Sequence, residues 1–394
     1  MTSMSDNTHP VASRRHLFWR STKSLLESKP WWRAEQWFLS SEILFGFLAA
    51  WGYRQGLDVS HIAAGVALCY LIETFCLIGI YRFGRIAGIV TGIFAYLGLA
   101  LSLWSPFWGL AVAMGFLTPF KDLQGISAIA WMPIKARRRR GTNMDAMIAD
   151  TILSSSFLMI AMVLSGFIIG LWRDFPVLVA CFTAFVLMPR QIMTLPKSHR
   201  TLHESDFTAP ENVRWLLLLS FLFNSGAFLG RRVLLPIVTV VAAGNLGLEK
   251  QAMLILGTVL GTMGLVGIFL RARPTGDPLI SGLRFSCIGW ILVGCGVLLQ
   301  YQGHVLALLP LLGGWALLEV CNKTWSIGFR HTLEQSSGKS RPHRKALQQF
   351  IIMKSVGGAL GSGMAFFLPV MGSPIIVMIF AAISLFVIEK KPSS

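Results

Sequence analysis

Long apolar runs separated by short polar gaps dominate the chain. They fall near residues 35–53, 60–80, 86–104, 106–130, 146–170, 174–192, 213–243, 251–270, 280–300, 304–323, 347–370 and 372–389. Each is close to the ~20 residues a helix needs to cross a bilayer. Lipid offers no water to satisfy exposed backbone groups, so a spanning segment is a helix or part of a closed barrel. Runs of this length lack the two-residue alternation of a strand. The pattern therefore predicts an all-α membrane protein with twelve transmembrane helices.

The longest connection within the bundle joins the sixth and seventh runs and holds Pro196, Lys197, His199, Arg200, Glu204 and Asp206. It suggests a basic N-terminal segment over 1–34, one six-helix bundle over 35–192, a linker over 193–212, a second six-helix bundle over 213–389 and a tail over 390–394. Such halves are a recurrent transporter plan, with the substrate site between them near the bilayer midplane. A second polar loop, 331–345, reads as solvated.

Composition agrees with a bilayer as solvent. Of 394 residues, 54% are hydrophobic and only 13% charged, too few charges to cover a water-soluble globule. The net charge of +17 would suggest nucleic acid in a soluble protein. Here the placement of the charges argues otherwise. With the N-terminus in the cytoplasm, 28 of the 35 Lys and Arg residues fall on the cytoplasmic side. Three (Arg54, Arg173, Lys250) fall outside, and four (Lys121, Arg231, Arg232, Lys354) lie inside spans. That bias is the positive-inside rule, so both termini are expected in the cytoplasm of a bacterial inner membrane, with no nucleic-acid partner.

Residues 1–34 lack the apolar core of a cleavable signal. Ser13 to Lys29 reads either as a basic amphipathic helix on the cytoplasmic leaflet or as an unstructured tail. The six cysteines sit within or at the ends of apolar runs without metal-ligand spacing, and read as small packing residues. Trp104, Trp108, Trp131 and Trp172 sit near span ends, as an aromatic belt does. No phosphate-binding loop, metal pattern or catalytic triad is visible, so neither an enzyme nor a cofactor is expected.

Two motifs carry a resemblance to a known family. After the second run the chain reads Gly79-Ile80-Tyr81-Arg82-Phe83-Gly84-Arg85. This is similar to the loop motif G-x-x-x-D-R-x-G-R of the major facilitator superfamily, with Tyr81 in place of the acid. In the fourth run, Lys121-Asp122-Leu123-Gln124-Gly125-Ile126-Ser127-Ala128 resembles that family's R-x-x-Q-G-x-x-A signature, with lysine for arginine. The family's antiporter signature in the fifth span is absent. The resemblance implies a gating loop at Arg82, Gly84 and Arg85, in which Tyr81 stands where the family's charge relay has its acid. A narrower resemblance, to bacterial lysophospholipid transporters, rests on Gly226–Leu235, on Leu333-Glu334-Gln335 with Gly338-Lys339, and on Gln348-Gln349.

Ionisable side chains inside spans cost ~2.5–3.5 kcal/mol each at mid-bilayer and mark pathways or sites. They are Glu42, Glu73, Lys121, Asp122, Asp150, Arg231, Arg232, Glu319 and Lys354. Spans one, four, seven and ten line the cavity of the family that the chain resembles, which would bring Glu42, Lys121, Arg231 and Glu319 into one chamber. The expected substrate contacts are Arg231, Arg232, Lys121 and Gln124, because guanidinium and ammonium groups favour an anion. The expected proton or charge relay is Glu42, Asp122, Glu319 and Glu73. The structural alternative is pairing across helices. Glu73, Asp150, Glu319 and Lys354 lie near span ends, where snorkelling lowers the cost. Adjacent Lys121 and Asp122 face different sides of their helix. The glycine rows at 257, 261, 264 and 267 and at 357, 358, 361 and 363 read as close helix packing.

The expected function is secondary active transport of a small solute, with an anionic one favoured, by alternating access and with proton coupling an option. The protein is expected to be a monomer among membrane lipids. A lysophospholipid flippase and a non-transporting membrane scaffold remain alternatives.

Overall fold

The computed structural model describes residues 22–138, 143–195, 211–269, 278–302, 307, 309–318, 321, 340–367 and 372–389. Among the described residues there are helices and no strand. In chain order they are α1 (Lys29–Arg54), α2 (Val59–Phe83), α3 (Arg85–Leu101), α4 (Pro106–Arg138) and α5 (Asn143–Leu171). Helix α6 runs through Phe175–Phe182, a π-helical turn at Thr183–Leu187, and Met188–Thr194; α7 runs through Glu211–Leu229, a π turn at Gly230–Leu234, and Leu235–Asn245. Then come α8 (Ala252–Phe269), α9 (Pro278–Tyr301), α10 (Leu309–Leu318), α11 (Ser340–Phe367) and α12 (Gly372–Glu389).

Among the described residues a helix lies on each apolar run read from the sequence, on the tenth over 309–318. Among the described residues seven helices are long and apolar enough to cross a membrane: α2, α6, α7, α9 and α12 over all or nearly all of their length, α5 over Ile152–Leu171 and α11 over Leu347–Phe367. Helix α3, at Arg85–Leu101, is apolar but shorter. Helices α1 and α4 carry polar groups in mid-helix: Ser40, Ser41 and Glu42 in one, Lys121, Asp122 and Gln124 in the other. Glu42, Lys121, Asp122 and Gln124 among them enter the site below. The linker proposed at 193–212 lies largely outside the described residues, as does the loop at 331–345 as far as residue 339; from Ser340 onward the chain is helical, so the last part of that expected loop is the start of α11.

The helix ends follow from local chemistry. Ser28 caps α1, its hydroxyl accepting from the Trp31 N–H at 3.4 Å, with Pro30 in the first turn. Asp58 caps α2, accepting from the His61 N–H at 2.8 Å. Gly84 joins α2 to α3 at φ 62° and ψ −129°, a conformation that glycine adopts freely and a side chain resists. Both π turns are followed by proline, Pro189 in α6 and Pro236 in α7. A proline ring clashes with the carbonyl four residues back, and the wider π turn relieves that clash.

Packing ties the helices before residue 195 to those after 211 along two seams. In one, α5 crosses α8 so closely that a methyl group on Gly257 would strike the Met162 carbonyl, and one on Gly166 the Met253 carbonyl. In the other, α2 lies along α11, and Gly358 leaves room for Tyr70 and Phe228. Gly357 and Gly361 let α11 approach the α7 backbone at Phe221 and Ser225. Gly261 packs on Met159 of α5, which extends the packing role of the α8 row. The surroundings of Gly264 and Gly267 lie outside the described side chains.

Candidate functional site

Polar residues of α1, α4 and α7 meet at one carboxylate. Glu42 of α1 is the hub. One of its oxygens, Oε1, accepts from Arg232 Nη2 at 2.8 Å and from Lys121 Nζ at 3.4 Å. Arg232 stands on the π turn of α7 and Lys121 on α4, so a single carboxylate oxygen gathers three helices. All three side chains are buried or nearly so. Ion pairs of this kind survive in low dielectric only when geometry and hydrogen bonding repay their desolvation. The repayment is incomplete here, because Arg232 Nε is buried without a hydrogen-bond acceptor.

Aromatic rings frame the cations. The Arg232 guanidinium lies 5.0 Å from the Phe45 ring centroid, and Lys121 Nζ lies 5.9 Å from that of Phe38. Phe45 stacks on Tyr70 at 5.4 Å, and Tyr70 on Phe228 at 4.7 Å. Tyr70 also lies close enough to Arg232 for its hydroxyl to bear on the guanidinium. Lys354 of α11 covers the other end of this stack, 5.5 Å from the Phe228 ring. Cations over ring faces gain electrostatic attraction that grows as water is removed.

The remaining predicted residues distribute as follows. Arg231, next to Arg232 but partly exposed, acts on the Glu42 carboxylate through its charge. Gln124 is buried one turn beyond Lys121 on α4. Asp122 turns away from Glu42, as neighbouring positions on a helix must, and meets Glu73 of α2. Both are buried, so Glu73 does not snorkel. Asp150 accepts from Trp31 Nε1 at 2.8 Å and so joins α5 to α1. Glu35, beside it, accepts from the Ser154 hydroxyl at 2.7 Å. Glu319 lies outside the described residues.

The loop motif has a structural role in this conformation. Arg85 donates through Nη2 to the carbonyl oxygens of Met193 at 2.7 Å and Leu195 at 2.9 Å, and through Nε to Leu195 at 3.1 Å. A cation on the last carbonyls of α6 satisfies groups the helix leaves open and complements its dipole. Arg82 is exposed and lies over the Phe83 ring at 5.3 Å.

Sequence reasoning did not single out Phe45, Tyr70 or Phe228, because each is one aromatic among many in apolar runs. The six cysteines are free, and Cys69, Cys287 and Cys321 are buried, in keeping with packing. Among the described residues no cluster of His, Cys, Asp or Glu is arranged to hold a metal ion.

No protein-family model matches the chain, and no curated protein matches its sequence. Solved structures do match over almost its whole length. The nucleoside transporter NupG is 13% identical over 92% of this chain and 98% of its own, with a TM-score of 0.54. The human organic anion transporter MFSD10 is 11% identical over 95% and 99%, with a TM-score of 0.54. A D-xylose–proton symporter is 11% identical over 92% and 95%, also at 0.54. At these identities the likeness speaks for the fold, and the chain has the fold of major facilitator transporters.

Proposed function

We propose that this chain, an integral membrane protein with the major facilitator fold, is a secondary transporter that moves a small anionic solute. Arg232 and Lys121 are its anion-binding groups, assisted by Arg231 and Gln124. The observation that carries the reading is the convergence of the Arg232 and Lys121 cations on one oxygen of Glu42, with Arg232 Nε left as a free buried donor. A guanidinium binds carboxylate or phosphate through two parallel hydrogen bonds. Glu42 takes only one of them, which leaves the Nε edge for a solute. An arriving anion competes with Glu42 for both cations, and a displaced Glu42 becomes a natural proton acceptor.

The likeness to a human organic anion transporter and to a proton symporter supports this class of solute and of energy source. In the proposed cycle, 35–192 and 213–389 act as two bundles that rock about the site, exposing it alternately to each side. The charge bias of the loops favours a bacterial inner membrane with both termini cytoplasmic. A monomer is sufficient for such a cycle.

The test is uptake by proteoliposomes loaded with wild type, Arg232→Gln or Lys121→Gln protein. Anion uptake that falls at least tenfold in each well-folded variant supports the site. Near-normal uptake in both rejects it. Headgroup-selective movement of lysophospholipid in place of solute uptake would shift the assignment to a lipid flippase.

A further inference from the structure

A second charged group lies across α2 and α4 from the Glu42 cluster. The carboxyl groups of Glu73 and Asp122 lie within hydrogen-bonding reach of each other. Glu73 is 3% exposed and Asp122 is 7% exposed. Neither Glu73 Oε2 nor Asp122 Oδ2 has a hydrogen-bond partner. Two carboxylates in contact repel strongly in low dielectric, and both oxygens are acceptors only while ionised. One proton between them removes the repulsion and supplies the donor that the contact lacks.

The charged groups around the pair are few. Lys354 from α11 and Lys121 from α4 act on Glu73 through their charges. Cys69 and Tyr70 lie one turn back on α2. Arg232 of α7 and Glu42 of α1 are engaged with each other. Helix α3, also packed on α2, brings Arg85, whose guanidinium is held by the end of α6. Lys354 belongs to the far side of the α2–α11 seam, so the charge of the pair is felt across that seam.

We propose that Glu73 and Asp122 form a proton-binding carboxyl pair that holds one shared proton, and that Lys354 on α11 reads its charge. With the proton bound the pair carries one negative charge. When the proton leaves to water the pair carries two, and its attraction for Lys354 across the seam increases. Proton release thus tightens α2 against α11, and proton uptake loosens them. As the coupling site of a transporter, the pair depends on the transport reading above; as a proton site it does not.

Infrared difference spectroscopy of the full-length protein in membranes, recorded across a pH series with no solute added, tests the inference. The expected wild-type spectrum contains a buried protonated-carboxyl band that disappears as pH rises. Glu73→Gln and Asp122→Asn each abolish or displace that band. Lys354→Met moves its midpoint to higher pH, because loss of the cation favours the protonated pair. A merely structural contact would not produce that shift. Absence of the band in wild type, or its persistence in both Glu73→Gln and Asp122→Asn, overturns the proposal. The experiment involves no solute, so its failure is separate from any failure of uptake.

Discussion

Arg232 Nη2 donates to Glu42 Oε1 at 2.8 Å, joining a π turn in α7 to the middle of α1, 190 residues earlier in the chain. The contact bridges the helices before residue 195 and those after 211. Lys121 adds a second cation to the same oxygen at 3.4 Å.

Removing that oxygen's charge leaves two cations buried without their counter-ion. Glu42→Gln is expected to lower stability by about 3–5 kcal/mol, the range for breaking a buried pair from one side. Glu42→Gln with Arg232→Gln should lose less than the sum of the two single variants, because one orphaned charge is gone. Thermal denaturation of the four proteins in one detergent completes the cycle, and strict additivity would show that the two side chains do not interact.

Arg85 holds the end of α6 through three hydrogen bonds to two carbonyls. Arg85→Ala is expected to cost about 1.5–3 kcal/mol, as for hydrogen bonds from a charged donor. Arg85→Lys should recover only part of this, since an ammonium lacks the guanidinium fork. Full recovery by lysine would mean that charge alone matters.

Gly84 sits at φ 62°, ψ −129°. Gly84→Ala is expected to destabilise by about 1–3 kcal/mol through backbone strain. An unchanged melting temperature would show that the turn adopts another conformation at little cost.

Where α5 crosses α8, Gly257 faces the Met162 carbonyl. Gly257→Leu forces the helices apart and should cost about 1–3 kcal/mol. Hydrogen exchange is expected to rise in α5 and α8 together; a rise confined to α8 would contradict a shared crossing.

The carboxyl group of Asp58, in the loop before α2, is held below its ordinary range by the His61 backbone N–H and then by the His61 ring. A lowered carboxylate pKa stabilises the fold at pH values above about 3.9, the unfolded value. The contribution is lost as pH falls through the folded value. Asp58→Ala should therefore be less stable than wild type by about 1 kcal/mol at neutral pH, and the two should converge in acid. A constant difference down to low pH would rule out the ionised cap.

Much of the architecture was legible in the pattern of apolar runs, because a helix in lipid must be long and apolar and little else is permitted. The site was legible in part for the same reason. Glu42, Lys121 and Arg232 stand out because a charge within an apolar run has no inexpensive explanation. Which of two adjacent arginines meets Glu42 was not legible. The π turn before Pro236 inserts an extra residue into one turn and shifts the helical phase, and a 3.6-residue wheel drawn through α7 misses that shift. The Glu73–Asp122 contact was hidden because the distance of Glu73 from a span end suggested snorkelling, whereas its burial comes from helices far away in sequence. The motif at 79–85 drew attention to Arg85, but its partners lie 108 and 110 residues later. No local pattern encodes them.

The most direct test of anion binding at the Arg232–Lys121–Glu42 cluster is a thermal-shift screen of purified protein against anionic metabolites, siderophores and lysophospholipids, repeated on Arg232→Gln. The expected result is at least one anion that stabilises wild type and leaves Arg232→Gln unmoved. A ligand that stabilises both proteins equally would contradict a site at Arg232.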